Sequence, residues 1–402
     1  MALKARQASA VALALIASAS VLLLLCRRDM APPPIPRPID DPVALDPKDM
    51  APNPRKNDLL YRAPLNVALD PMDMALDPMD MALDPRENDL LYRAPLDVAF
   101  IFTHARKSQE LQRKLAVAAT SLLASTTAPL RLHLITDQDG FHIATDIIAK
   151  AQDANQLGFR SIKLAYVSAE ALAAEIRSSV NVLQEFFTRR KNAYYRDALF
   201  FFSVHLHKMF PHLERLILMD IDVKVKGDIA ELHSHFERFT ADNILGMTLE
   251  QSPVYRHVLS QYRRLHPDTT LGSPPGPGAG TGLGSVPATQ GGFPGFNSGV
   301  VLVAVDRLRR SDVIRSYLNK TVLEERASFY SFEGHLGDQD LYTLVAFDHP
   351  DLFYVLPCGW NRQLCTWWRD HGYARVFDQY FNCTGEVKVI HGNCKTPIPD
   401  DL

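Results

Sequence analysis

The stretch that most constrains the fold is RLILMDIDVKV, residues 215–225. Leu216 to Met219 form a continuous apolar run of strand length, which reads as a buried strand. Asp220 and Asp222 follow at once, with one aliphatic residue between them. Strand alternation sends both carboxylates to one face and Ile221 to the other. Two carboxylates side by side repel strongly unless a cation lies between them. Oxygen ligands favour Mn²⁺, Mg²⁺ or Ca²⁺. The segment therefore predicts a buried strand with a metal-holding carboxyl end.

Other segments repeat this layout. DVAFIFTHAR, from residue 97, is an apolar strand ending in Thr103, His104 and Ala105. LRLHLITDQDG ends in Thr136 and Asp137. Between them lies a stretch of helical periodicity, KSQELQRKLAVAATSLLAST. RSIKLAYVSAE predicts a third strand, DALFFFSVHLHKMF one buried helix, and FNSGVVLVAV a further strand. Strands alternating with helices predict an α/β domain with a mainly parallel sheet. Ligands in such sheets sit beyond the carboxyl ends of the strands, where these polar residues gather.

The first 95 residues read differently. Residues 8–26, ASAVALALIASASVLLLLC, are apolar or small throughout, with Lys4 and Arg6 before them and Arg27 and Arg28 after. That length suits a transmembrane signal anchor, with residues 1–7 as a cytoplasmic tail; a cleaved signal peptide of similar composition is the alternative. Residues 27–95 are proline-rich and then repetitive: NDLLYRAPL occurs at 57 and again at 88, and ALDPMDM recurs every seven residues from Ala68. A proline in every unit forbids a continuous helix, so the repeats read as an unstructured stem. The head is expected over 96–402. Within it, the Gly/Pro-rich stretch 272–292 lacks the strand–loop–helix setting of a phosphate loop and reads as an inserted loop. The net charge of −3 leaves no basic field, so nucleic acid is not an expected partner.

Four of the five cysteines, Cys358, Cys365, Cys383 and Cys394, fall in the last 45 residues. No Cys-x-x-Cys pair favours zinc, so two disulfides are expected, in any of three pairings. Asn319 and Asn382 each begin an Asn-x-Thr sequon compatible with a lumenal head.

LILMDIDVKVKGDI, FNSGVVLV, GDQDLYTLV and HGNCKTP, in this order, make the chain resemble glycosyltransferase family 8, over about residues 96–399. IFTHARKS, VYRHVLSQYRRLHP and GHLGDQDLY narrow the resemblance to its xylosyltransferases acting on xylosides. It implies a GT-A type single catalytic domain and retaining transfer from a UDP-sugar. Asp220, Asp222 and His391 match the family's metal ligands for Mn²⁺, with Mg²⁺ as the substitute. Gln339 matches the residue facing the donor sugar opposite the leaving group. An amide is a poor nucleophile, which favours front-face departure over a covalent intermediate. Thr103, His104, Ala105, Asp137, Ile221, Ser298, Leu336, Asp338 and Lys395 are expected on the donor, with Lys395 near the diphosphate. His257, Asn297, Trp360, Asn361 and Asn393 are expected on the acceptor.

The narrower resemblance implies UDP-xylose as donor and α-1,3 transfer to the xylose of a xylose–glucose O-glycan on the EGF-like repeats of Notch-type receptors. It also implies a single-pass type II membrane protein of the endoplasmic reticulum, with the Golgi as alternative. The rivals are a glucoside xylosyltransferase or hexosyltransferase of the same family, and a catalytically inactive sugar-binding membrane protein.

Overall fold

The computed structural model describes residues 94–155, 162–188, 197–276 and 291–399. All of them belong to one compact unit, Asp80–Leu402. The anchor expected at 8–26, the stem up to residue 93 and the Gly-rich residues 277–290 lie outside the described residues. The membrane-protein expectation is corrected: among the described residues no helix is long and apolar enough to cross a membrane.

The elements that build the sheet are β1 (Leu96–Ile101), β2 (Leu130–Thr136), β3 (Ile162–Ser168), β4 (Arg215–Met219), β6 (Leu245–Leu249), β7 (Phe296–Ala304) and β8 (Phe353–Val355). Their order is β3-β2-β1-β4-β7-β6-β8. Every neighbouring pair is parallel except the two involving β7. The sheet is thus mainly parallel, as its alternating strands and helices predict. Helices α1 (Gln109–Ser125) and α2 (Gln138–Ala154) connect β1 to β2 and β2 to β3. Ser108 caps α1 by accepting the Leu111 N–H, and Asp137 caps α2 by accepting the Gly140 N–H. Leu115, Ala118, Ala119 and Leu122 recur at helical spacing and are fully buried.

RLILMDIDVKV does not form one strand. β4 stops at Met219, and β5 (Val223–Val225) joins a second, three-stranded sheet with β9 (Arg362–Gln363) and β10 (Val389–His391). Simple strand alternation therefore does not set the two aspartates; they occupy the crossover between two sheets. DALFFFSVHLHKMF is likewise broken, into 3-10 turns at Ala198–Phe201 and Ser203–His205 and a single α-turn at Leu206–Met209. Bulky aromatics are indifferent helix formers, and tertiary packing overrides their pattern. Helix α3 (Arg177–Phe187) and helix α4 (Asp338–Asp348) flank this segment.

The cysteines pair as Cys358–Cys383 and Cys365–Cys394. At the ends of the Gly-rich stretch, the Leu271–Phe293 and Pro275–Gly292 bridges bring the two arms together.

Candidate active site

Three strands deliver the metal-type ligands. Asp220 leaves β4 with its N–H donated to the Gly299 carbonyl of β7 at 2.9 Å. β10 pairs antiparallel with β5, setting His391 opposite Val223, and Gly392 N–H donates to the Asp222 carbonyl at 2.8 Å. His391 Nε2 then stands 3.5 Å from Asp220 Oδ2 and 3.4 Å from Asp222 Oδ1. These separations exceed a strong charge-assisted hydrogen bond. They suit ligands sharing one ion, because donors about 2.1 Å from a common ion at right angles lie about 3 Å apart. The three ligand atoms all fall within 4.8 Å of one another. Two carboxylates and an imidazole fit a divalent cation such as Mn²⁺.

A buried chain of amides orients the imidazole. Glu250, buried just past β6, accepts from Asn297 Nδ2 at 2.9 Å and Gln339 Nε2 at 3.2 Å. A carboxylate only accepts, so Asn297 must turn its carbonyl away. That carbonyl accepts the Asn361 amide at 2.8 Å. Asn361 is then left to accept from His391 Nδ1, 2.9 Å away. The His391 proton is held on Nδ1, and Nε2 faces the aspartates.

The charges respond to this packing. Desolvation pushes the Asp220 carboxyl up to about 7; Asp222 and Asp338 add to the rise, and His391 and Lys114 oppose it. The Asp220 side chain is still 53% exposed to the cavity, so water moderates that rise. Burial also works against Asp222, yet His391 and Lys114 outweigh it and hold its carboxyl near 2. Burial pulls His391 down, and the two carboxylates more than reverse it. Burial raises the Glu250 carboxyl against its amide donors.

Gln339 enters from the first turn of α4, after Gly337 at φ 70°. Its Oε1 accepts the Ser298 N–H at 3.3 Å while Nε2 donates to Glu250. Asp338 accepts from the hydroxyls of Ser298, at 3.2 Å, and Ser203. Burial raises Asp338 to about 6, with those hydroxyls pulling it back.

A cavity of about 640 Å³ joins the aspartate pair, His391, Gln339 and Asp338. Thr103, His104, Ile221, Asn297, Ser298, Leu336 and Asn393 also line it. Other expected site residues lie elsewhere. Ala105 is fully buried. Asp137 caps α2 and accepts the His104 N–H at 3.2 Å. Asn361 stands behind His391, and Trp360 packs in the core beside His235, ring centroids 6.3 Å apart. His257 bonds the Tyr373 hydroxyl at 2.9 Å, and neither it nor Lys395 lines the cavity.

Among the lining residues that escaped sequence reasoning are Lys114, Asp197, Glu250, Ser252, His335, Trp367 and Trp368. Glu250 had a signal, since it follows the apolar run LGMTL at the same sheet edge as Asp220. The tryptophan doublet had a weaker one, and Lys114 none.

No family model matches the sequence. The chain is 38% identical over 306 residues to xyloside xylosyltransferase 1 of Mus musculus and of Homo sapiens, covering 75% of this chain and 74% of each relative. It is 28% identical over 282 residues to the human xylosyl- and glucuronyltransferase LARGE1, covering 70% of this chain and 31% of that protein. Among solved structures, the apo form of mouse xyloside xylosyltransferase 1 aligns with a TM-score of 0.67 and 36% identity, over 76% of this chain and 100% of that one.

Proposed function

The chain belongs to the xyloside xylosyltransferase family of glycosyltransferases, and from that premise we propose that it transfers xylose with retention from UDP-xylose to a xyloside acceptor. The acceptor of this reading is the terminal xylose of a xylose–glucose O-glycan on EGF-like repeats, extended in α-1,3 linkage. The observation that carries it is one cavity holding the Asp220–Asp222–His391 group and Gln339 together.

Asp220, Asp222 and His391 would hold Mn²⁺, or Mg²⁺ in its place. Bound there, the cation supplies positive charge to the diphosphate as it departs. The remaining work falls to the protein. Gln339 is fixed at both ends, by Ser298 N–H and by Glu250. An amide so held cannot attack carbon, but its dipole and the charge of Glu250 behind it favour positive charge developing on the sugar. Asp338, which accepts from Ser203 and Ser298, would hold sugar hydroxyls in this reading. The acceptor hydroxyl then adds on the face the diphosphate leaves: its oxygen bonds the anomeric carbon, its proton passes to the departing diphosphate oxygen, and the anomeric configuration is preserved.

The test is incubation of the full chain with UDP-xylose, Mn²⁺ and an EGF repeat bearing the xylose–glucose disaccharide, read by mass spectrometry. A gain of one pentose supports the proposal. Transfer from UDP-glucose or UDP-galactose instead, or no transfer at all, overturns it.

A further inference from the structure

The reading above brings a diphosphate with two negative charges into a cavity already lined by five carboxylates: Asp197, Asp220, Asp222, Glu250 and Asp338. Sequence reasoning gave Lys395 the task of meeting that charge, yet Lys395 does not line the cavity. Lys114 is the only lysine or arginine among the described residues that do.

Lys114 arrives from α1, one turn after Leu111, which also lines the cavity. It borders the buried stripe of Leu115, Ala118 and Leu122. The helix is tied to the aspartate loop as well: Ser121 Oγ accepts the Val225 N–H at 2.9 Å. The side chain is therefore presented on packed structure rather than on a free loop. Its Nζ lies 3.3 Å from Asp222 Oδ2 and 3.8 Å from the more exposed Glu110, and 23% of the side chain remains accessible. An ammonium has three N–H donors. Asp222 takes one, the contact with Glu110 is long, and donor capacity remains toward the cavity beside the metal ligands.

Resting on the nucleotide-sugar reading, we infer that Lys114 is a phosphate-binding residue of the donor site. Its ammonium donates directly to a diphosphate oxygen while it holds Asp222. It offsets negative charge that a single divalent cation, already facing Asp220 and Asp222, leaves uncompensated. The ligand it reads is the phosphate, not the base or the sugar.

The experiment compares UDP with uridine as probes, by calorimetry on the full chain. Parent, Lys114→Gln and Lys114→Arg proteins are titrated in saturating Mn²⁺ and again in EDTA. Lys114→Gln is expected to weaken UDP about 10- to 100-fold, the range of one charge-assisted hydrogen bond. Uridine binding should be unchanged, Lys114→Arg should recover part of the UDP affinity, and the deficit should persist in EDTA. Parent-like UDP binding by Lys114→Gln overturns the assignment. So does an equal loss of uridine, which would mark a structural role, or a deficit that vanishes in EDTA, which would mark action through Asp222 alone. If the parent itself binds no UDP, the nucleotide-sugar reading fails, and this assignment fails with it.

Discussion

The imidazole of His391 fills the space that a side chain on Gly299 would need. A Cβ built on Gly299 would stand 2.3 Å from Cε1 and 2.4 Å from Nδ1 of that ring. The Gly299 carbonyl meanwhile accepts the Asp220 N–H at 2.9 Å. One glycine thus orients a carboxylate through its backbone and admits an imidazole by having no side chain. Gly299→Ala should displace the ring while leaving the sheet assembled. Mn²⁺ affinity, followed by electron paramagnetic resonance, is expected to fall about 10- to 100-fold, as when a supporting contact to a metal ligand is lost. Parent-like Mn²⁺ binding in a folded alanine variant would sink the expectation.

Glu250 is the anchor of the amide chain that ends on His391. Glu250→Gln keeps the volume but lets one end of the side chain become a donor. That donor would face Asn297 Nδ2 and Gln339 Nε2, which are donors themselves. One buried amide is left unmatched, at a cost of about 1–3 kcal/mol in stability. Gln339 and His391 both lose their fixed orientation, so kcat should fall more than the donor KM changes. Urea unfolding together with steady-state kinetics checks both parts. A variant with unchanged stability and kcat would show that the network does not orient the site.

The sheet and half of this site could be read from sequence because the signal was local. Leu216–Met219 is a run of strand length, and β4 forms there. The aspartates follow it directly, and the motif around His391 supplies the third member of the group. What sequence could not show depends on tertiary register. Strand alternation made Asp220 and Asp222 neighbours on one strand, whereas the backbone leaves one sheet between them and enters another. Asn361 lies 30 residues from His391 and Glu250 47 from Asn297, so only the fold brings them together. The four late cysteines announced two bridges, but their pairing depends on β10 returning beside β9, which brings Cys394 back to Cys365.

The two disulfides close loops of 25 and 29 residues, and the second reaches the wall of the cavity through Cys394. Asn393, beside Cys394, accepts the backbone N–H groups of Leu364 and Cys365 at 3.0 and 2.9 Å. Non-reducing peptide mapping should recover Cys358 linked to Cys383 and Cys365 linked to Cys394. Replacing the Cys365–Cys394 pair with serines should cost about 3–4 kcal/mol, the loop-entropy value for closures of this size. Recovery of a different pairing by mapping would contradict the structure outright.

Trp367 lines the cavity with its side chain about half exposed, stacked on His371 at 3.7 Å between ring centroids. Trp368 beside it is braced by His257 and Tyr373. An accessible indole held by a stacked partner offers an apolar face to a sugar ring. Trp367→Ala is expected to raise the acceptor KM about two- to tenfold, roughly the 0.5–1.5 kcal/mol of such a ring contact. Hydrolysis of the donor in the absence of acceptor should continue at the parent rate. An equal effect on donor hydrolysis would place Trp367 on the nucleotide-sugar side instead.

Asp340 gives the stability of the fold a pH dependence of known sign. Its carboxyl is fully buried, and burial pushes it up to about 7, with the Leu336 N–H and Tyr255 hydroxyl pulling it only partly back. In the unfolded chain an aspartate titrates near about 3.9. Between these values the folded protein holds a proton that the unfolded chain has released. Stability therefore falls as pH rises from about 4 to about 7, by up to about 1.4 kcal/mol per pH unit from this group. Asp338, raised to about 6, acts in the same direction, and Asp222, held near 2, acts oppositely and below pH 4. Asp340→Asn removes one such slope and leaves the others, while its Oδ1 can still accept the Leu336 N–H. Urea unfolding of parent and variant from pH 4 to 8 should give converging curves at low pH, and a shallower decline for the variant above it. Parallel slopes would show that Asp340 is ionised in the folded protein throughout this range.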